Sequence, residues 1–202
     1  DIGIDVITLG NHAYAKREVR DLDETLPVVF PANLIGPQKH RHTINVTVQD
    51  VKVAISNLCG IAFMDNIDQD PFTTMDEILN TTKADIHIVD LHAEATAEKK
   101  VFAHHYADRL SAVIGTHTHV QTADEQIIDH EAFFITDVGM CGPYNSILGR
   151  DIDEAIQKMV FDQKTHYTPS MQPAMFNAVI MTFDDDHVPV QIERLYLKPN
   201  ES

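Results

Sequence analysis

Residues 84–119 read ADIHIVDLHAEATAEKKVFAHHYADRLSAVIGTHTH and predict a strand, a helix and a second strand in immediate succession. The run IHIVDLH before the helix and the run SAVIG after it are rich in apolar and β-branched residues. Strands that alternate with helices in this way favour an α/β layered sheet. The stretch therefore predicts an α/β fold.

The rest of the chain extends this unit with strands, hairpins and helices. A buried strand is expected over residues 4–10, and hairpins are expected at the edges of the sheet. The helix over residues 70–84 is expected to have Thr73 or Thr74 as its cap and acidic residues in its first turn. We expect one layered domain over residues 1–202, with three hairpins (42–58, 124–139 and 176–197) and further helices over residues 15–26 and 151–163.

The composition narrows the classes of partner. The chain has 202 residues, and 15 Lys and Arg against 31 Asp and Glu give a formal net charge of -16. Such a charge argues against salt-driven binding to nucleic-acid polymers, but a small phosphate ester remains compatible with it if metal cations reverse the local sign. No apolar run is long enough to span a bilayer. The two cysteines, Cys59 and Cys141, stand in unrelated contexts, which predicts reduced thiols and a cytoplasmic protein.

Side chains that can bind metals follow three of the predicted strands. VITLGNH delivers Asn11 and His12, IVDLHAEAT delivers His92, and VIGTHTH delivers His117 and His119. In open α/β sheets ligands bind beyond the carboxyl ends of the strands, so these loops are expected to meet at one crevice. If the HTH segment is extended, His117 and His119 point to the same side, into one pocket.

Each of these signals has a structural interpretation as well. A lone H-x-H pair is more often a surface or hydrogen-bonded pair than a metal site. Asn11 and His12 suit a helix cap, His92 a hydrogen-bonded residue at a strand end, and Glu94 a salt bridge in a first helical turn. The metal hypothesis is favoured because all three loops follow strand ends in the same way.

Four segments together resemble the YmdB-type branch of the calcineurin-like metallophosphoesterases. They are GNH (10–12), VDLHAEATAEK (89–99), GTHTHVQTADE (115–125) and ITDVGMCGPYNS (135–146). The resemblance implies a metallophosphoesterase-like sheet sandwich with flanking helices. It also implies a centre of two metal ions, iron or manganese, that hydrolyses small phosphodiesters, with 2′,3′-cyclic nucleotides among the substrates. The wider family often forms oligomers, and a homo-oligomer is expected here on that ground alone.

The resemblance also assigns roles to residues. Asn11, His92 and His117 match ligands of one metal, and His119 matches a ligand of the other. His12 matches the histidine that protonates the leaving oxygen, a task that suits an imidazole near neutral pH.

The sequence departs from the family before its GNH motif. Members carry an Asp in a first strand and a Glu-Asn pair after a second one, and neither Asp1 nor Asp5 matches these positions. We therefore expect the first strands to be missing from this sequence through truncation, residence on another chain or true loss. We also expect this polypeptide to bind metal weakly and to have little activity.

Two rival hypotheses follow from the same residues. One is a catalytically impaired regulatory or binding module with the same fold. The other is an amidohydrolase, although that class places its H-x-H motif near the first strand.

Overall fold

The computed structural model describes residues 3–23, 25–37 and 40–199, so Asp1 lies outside the described residues. In chain order, the strands are β1 (Ile7–Thr8), β2 (Val28–Val29), β3 (Thr43–Val48), β4 (Val51–Cys59), β5 (Ile86–His92), β6 (Ala112–Thr116), β7 (Gln126–Ile128), β8 (Ala132–Ile135), β9 (Gly142–Pro143), β10 (Ala174–Phe183) and β11 (Pro189–Leu197). The α-helices are α1 (Pro71–Thr81), α2 (Thr96–Tyr106) and α3 (Ile152–Met159).

A six-stranded mixed sheet forms the centre, in the order β3-β4-β5-β6-β8-β7. The four inner strands are parallel, and the two edge strands are antiparallel partners of their neighbours. At the first edge, Gln49 and Asp50 both have positive φ, 49° and 70°. A two-residue turn of this kind matches the twist of a hairpin. The structure thus confirms the mixed α/β fold with hairpins at both edges of the sheet.

The main core contains the inner strands and the apolar side of α2. The buried residues of α2 are Lys99, Phe102, Ala103 and Tyr106, which share one stripe of the helix. The three apolar ones pack with Val89, Leu91, Val113 and Phe134 of the strands. Lys99 is the charged member of an otherwise apolar stripe, and its Nζ donates to the carbonyl of Thr116 at the end of β6.

A second sheet of three strands, ordered β11-β10-β9, contains the expected terminal hairpin. The side-chain amide of Gln121, in the loop after β6, donates to the carbonyls of Ala178 in β10 and Leu195 in β11 at 3.1 and 3.0 Å. These bonds connect the second sheet to the loop that carries His117 and His119.

Two of the sequence predictions near the N-terminus are wrong. The described residues between 15 and 26 form only a short 3-10 helix, Arg17–Asp21, and the carboxylate of Asp23 accepts from the backbone of Thr25 at 2.8 Å, which favours a local turn. The expected buried strand over residues 4–10 contains two paired residues, Ile7–Thr8. Its Ile7 is 43% exposed, since among the described strands β1 pairs only with β2.

The start of α1 also differs from the prediction. The cap is Asp70, whose carboxylate accepts from the backbone N–H groups of Phe72 and Thr73, and Pro71 opens the helix. No acidic residue lies in the first turn. A carboxylate next to a proline at the first helical position satisfies the free N–H groups better than a threonine one turn later.

Acid should destabilise the fold through His87, which is 6% exposed and whose Nε2 lies 2.8 Å from the Ser56 hydroxyl. Burial lowers the pKa of His87 from 6.5 to about 4, so the unfolded chain takes up a proton before the folded chain does. The contribution of His87 to the free energy of unfolding is therefore complete above pH 6.5, its pKa in the unfolded chain. It is lost as the pH falls to about 4, its pKa in the folded chain. Urea unfolding should show a loss of about 2–3 kcal/mol from this group between about pH 7.5 and about pH 4.5.

His87→Gln is the matched control, because every other titrating group cancels in the difference between the two proteins. The variant should lose less stability than the wild type over the same pH range. Equal losses in both proteins would contradict the assignment to His87.

Candidate metal centre

The register of the parallel strands brings three strand ends level. Cys59 at the end of β4 pairs with His92 at the end of β5, and His92 pairs with Thr116 at the end of β6. Residues of the loop after β1 reach the same edge, where Asn11 contacts His92. The predicted meeting of three loops beyond the carboxyl ends of strands is therefore present.

Three side-chain atoms converge at this edge. Asn11 Oδ1 lies 3.0 Å from His92 Nε2, and His92 Nε2 lies 3.0 Å from His117 Nδ1. The two imidazole rings are nearly perpendicular, at 82°. His92 thus stands between the other two groups and presents the same nitrogen to both.

Hydrogen bonds behind His92 define which of its nitrogens carries the proton. The Thr116 hydroxyl donates to Asp90 Oδ1 at 2.7 Å, so it accepts from His92 Nδ1–H at 2.9 Å. Burial raises the pKa of the Asp90 carboxyl to about 6. The Nε2 lone pair of His92 therefore points at Asn11 and His117.

Glu94 orients His117 in the same manner. Its Oε2 lies 3.0 Å from His117 Nε2, so the carboxylate holds the ring with Nδ1 towards His92. The sequence is compatible with either a helix contact or a metal contact for Glu94. The structure shows it paired with a histidine of the candidate centre.

These three atoms fit a metal cation. Each of the three atoms can present a lone pair to a cation, and ligands held at right angles about 2.1 Å from one cation lie about 3 Å apart, which matches the two distances of 3.0 Å. Burial lowers the pKa of His92 to about 4, so the imidazole is neutral at neutral pH. One amide oxygen and two imidazoles form a donor set that manganese and iron accept.

The donors are all neutral in this set. Within residues 3–23, 25–37 and 40–199, no group of three His, Cys, Asp or Glu side chains converges on a space for a metal ion. The third donor is Asn11.

The two remaining predicted residues lie at the margin of the cluster. The HTH segment is not extended, because His117 and His119 have φ values of 110° and 67°, so the expected same-side orientation is wrong. His117 turns to His92, whereas His119 is exposed and forms part of the wall of a neighbouring cavity. His12 is exposed and, with Asn11, lines another cavity of about 440 Å³.

A buried ion pair that was not predicted from the sequence holds this strained loop. Lys99 Nζ donates to the Thr116 carbonyl at 2.7 Å and lies 3.4 Å from Asp137 Oδ2. The same Oδ2 accepts from the backbone N–H and hydroxyl of Thr118, each at 2.8 Å. Bonds of this kind maintain positive φ values in residues other than glycine. A lysine within the apolar stripe of a predicted helix was the available signal.

Only a glycine fits at position 10, next to the His92 ring. A Cβ at this position would lie 2.5 Å from Nε2 and 2.7 Å from Nδ1 of His92, closer than carbon and nitrogen approach without a bond. The backbone next to Asn11 can approach the His92 ring only because this side chain is absent.

Comparison with known proteins identifies the family of this chain. The sequence profile of the YmdB-like proteins matches residues 1–195. The chain belongs to the YmdB-like protein family. A 2′,3′-cyclic-nucleotide 2′-phosphodiesterase of Bacillus subtilis (strain 168) is 37% identical over 199 residues, which cover 96% of this chain and 75% of that protein.

Two solved structures share the fold of this YmdB-like chain. A hypothetical protein from Thermus thermophilus is 35% identical and superposes with a TM-score of 0.90, covering 98% of this chain and 78% of the other. A structure described as a novel phosphatase from Mycoplasma pneumoniae is 29% identical, with a TM-score of 0.88 and coverages of 96% and 72%. The expected fold class and family are thereby confirmed.

Enlarging Gly10 should disturb the candidate metal centre. In Gly10→Ala the new methyl group displaces the His92 ring, and we expect Mn²⁺ affinity to fall about tenfold or more in a calorimetric titration. Gly142→Ala is the control, since the nearest atom to its Cβ would lie 3.8 Å away. An affinity for Mn²⁺ that is equal in both variants would show that the approach of Gly10 to His92 is unimportant.

Removing the buried cation should destabilise this YmdB-like chain. Lys99→Met leaves the Asp137 carboxylate without its partner, at a cost of about 3–5 kcal/mol in the free energy of unfolding. The double variant with Asp137→Asn should recover part of the loss. Lys100→Met is the control, because its half-exposed contact with Asp124, at 3.5 Å, is worth about 1 kcal/mol or less. Similar losses at both lysines would contradict this account.

Proposed function

We propose that this chain is a metal-dependent phosphodiesterase for small phosphate esters, with 2′,3′-cyclic nucleotides as its substrates. The observation that carries the proposal is the convergence of Asn11 Oδ1, His92 Nε2 and His117 Nδ1 at 3.0 Å spacings. The name of the Bacillus subtilis relative supports the substrate class, and that of the Mycoplasma pneumoniae structure supports phosphoester chemistry.

Within this proposal each residue has a distinct task. Asn11, His92 and His117 hold one cation, and His119 is a ligand of a second, both cations being iron or manganese. Bound cations would draw electron density from the phosphoryl oxygens and neutralise the charge of the substrate. Asp90, through Thr116, and Glu94 hold the two imidazoles in the tautomers that leave their lone pairs free.

His12 is the proposed proton donor. It follows the ligand Asn11 directly and is exposed beside it, so a bound ester can reach its ring without rearrangement of the fold. Protonation of the leaving oxygen by a positioned imidazole contributes about 10²–10⁴-fold to a rate.

The cellular compartment, the oligomeric state and the domain organisation of the protein also belong to the proposal. None of the helices in the described part of the chain is both long and apolar enough to cross a membrane. Cys59 and Cys141 are free thiols, which supports a reducing cytoplasmic compartment. A homo-oligomer stays a prediction, as does the single domain over residues 1–202.

The neutral donor set favours one alternative, a binding module with the same fold. Two imidazoles and an amide do not compensate the charge of a cation, so binding through these groups alone would be weak. Such a module would bind a nucleotide or a cation without turning it over.

Hydrolysis of 2′,3′-cyclic AMP with added Mn²⁺ tests the proposal. We expect turnover that chelation abolishes. His12→Ala should lower kcat about 10²–10⁴-fold with Mn²⁺ affinity unchanged. His92→Ala should lose Mn²⁺ binding itself, and the exposed His104→Ala serves as the control.

Each outcome has a distinct meaning. Mn²⁺ binding without turnover in the wild type would favour the binding module. Turnover that survives His92→Ala would contradict the candidate centre.

A further inference from the structure

The loop after β4, residues 60–66, runs along the edge of the candidate metal centre. It begins at Gly60, whose backbone N–H donates to the carbonyl of His92 at 3.0 Å. It ends at Asn66, which lines the cavity of about 440 Å³ together with Asn11 and His12. One end of the 60–66 loop therefore contacts a proposed metal ligand, and the other end faces the proposed proton donor.

Phe63, in the middle of the 60–66 loop, has an unusual conformation. Its φ is 60°, in the left-handed region that a bulky side chain seldom occupies. Its side chain is 91% exposed, so both faces of the ring are open and the ring gains nothing from burial. Neither packing nor backbone preference accounts for this residue. Strained residues of this kind are most frequent at active sites and ligand clamps.

Hydrogen bonds on both sides of Phe63 impose this conformation. On one side, Glu98 Oε1 in the first turn of α2 accepts from the backbone N–H of Ile61 at 2.8 Å. On the other side, the backbone N–H of Ile35 donates to the carbonyl of Asn66 at 2.8 Å. The ring is thus presented from an anchored backbone, which lowers the entropy that a ligand loses on binding to it.

The length of the loop places Phe63 within reach of the centre. Phe63 is three residues from Gly60 and three from Asn66, and a stretch of three residues spans at most about 11 Å. The base and the phosphate of a nucleotide are separated by one sugar. A base can therefore contact Phe63 while its phosphate lies at the candidate metal centre. The cavity that Asn66 lines also contains Ile35, an exposed apolar side chain that suits the same substrate.

We propose that Phe63 is the platform on which the base of a bound nucleotide stacks, with the phosphate at the candidate metal centre. The inference rests on the proposed function and adds the residue that recognises the base. A phenyl ring has no hydrogen-bonding group, and stacking accepts every base. Phe63 therefore selects nucleotides over phosphodiesters that have no base, and it discriminates little among the bases.

Steady-state kinetics with two cyclic esters and added Mn²⁺ test the proposal. Phe63→Ala should raise KM for 2′,3′-cyclic AMP about fivefold or more, in line with the loss of one stacking partner. The change should appear in KM rather than in kcat, because the base contact is the same in the ground state and the transition state. The rise should be absent with glycerol 1,2-cyclic phosphate, which has no base to stack. Phe161→Ala is the matched control, since Phe161 is another exposed aromatic and follows α3.

A binding measurement tests the contact without turnover. The chain has no tryptophan, so Phe63→Trp places a single indole at the middle of the loop. Adenosine 3′-monophosphate, titrated at a constant concentration of Mn²⁺, should quench its fluorescence with saturation, because the base stacks on the indole. Inorganic phosphate should leave the fluorescence unchanged. Phe161→Trp, the matched control, should respond to neither ligand.

Each result supports or overturns the proposal. An unchanged KM in Phe63→Ala, or equal responses of the two tryptophan variants to the nucleotide, would overturn the base platform. Hydrolysis of both esters by the wild type with no effect of Phe63→Ala would overturn only this platform. Saturable quenching of Phe63→Trp with no hydrolysis of either ester would overturn only the phosphodiesterase.

Discussion

Parallel pairing of β5 with β6 is the constraint on which the candidate centre depends. It sets His92 beside Thr116, and the Thr116 hydroxyl can then bridge the buried Asp90 carboxylate and the His92 ring. That bridge determines the tautomer of His92 and thereby the direction of its free lone pair. A shift of one residue in this register would turn Thr116 to the other face of the sheet and break the connection.

Electrostatics around the centre are arranged in two layers. The inner layer consists of neutral donors from Asn11, His92 and His117. Behind it lie the buried charges of Asp90, Lys99 and Asp137, which contact the backbone and the hydroxyl groups of the loops. The inner atoms are therefore held in place by groups that do not themselves approach a ligand. In a chain with a formal net charge of -16, a cation at this position would also provide the positive potential that a phosphate ester requires.

The loop after β6 contacts three parts of the molecule. His117 belongs to the cluster at the sheet edge, His119 faces the neighbouring cavity, and Gln121 is bonded to the second sheet. The side chains of His117 and His119, two residues apart, face different surroundings. Left-handed backbone conformations at both residues interrupt the alternation of side chains that an extended chain would have. Asp137 maintains these conformations through its bonds to Thr118.

The sequence by itself determined the α/β class, the edge hairpins and the strand ends from which Asn11, His92 and His117 project. Periodicity and turn residues are local properties, and they suffice for elements such as β5, α2 and β6. The short helix at Arg17–Asp21 and the left-handed HTH loop were decided by side-chain bonds that compete with regular structure. The tautomers, the Lys99–Asp137 pair and the bond between Glu98 and the 60–66 loop arose only in the tertiary structure. Each of them depends on distances between residues far apart in the chain, and only the pairing of strands and the packing of helices and sheets set those distances.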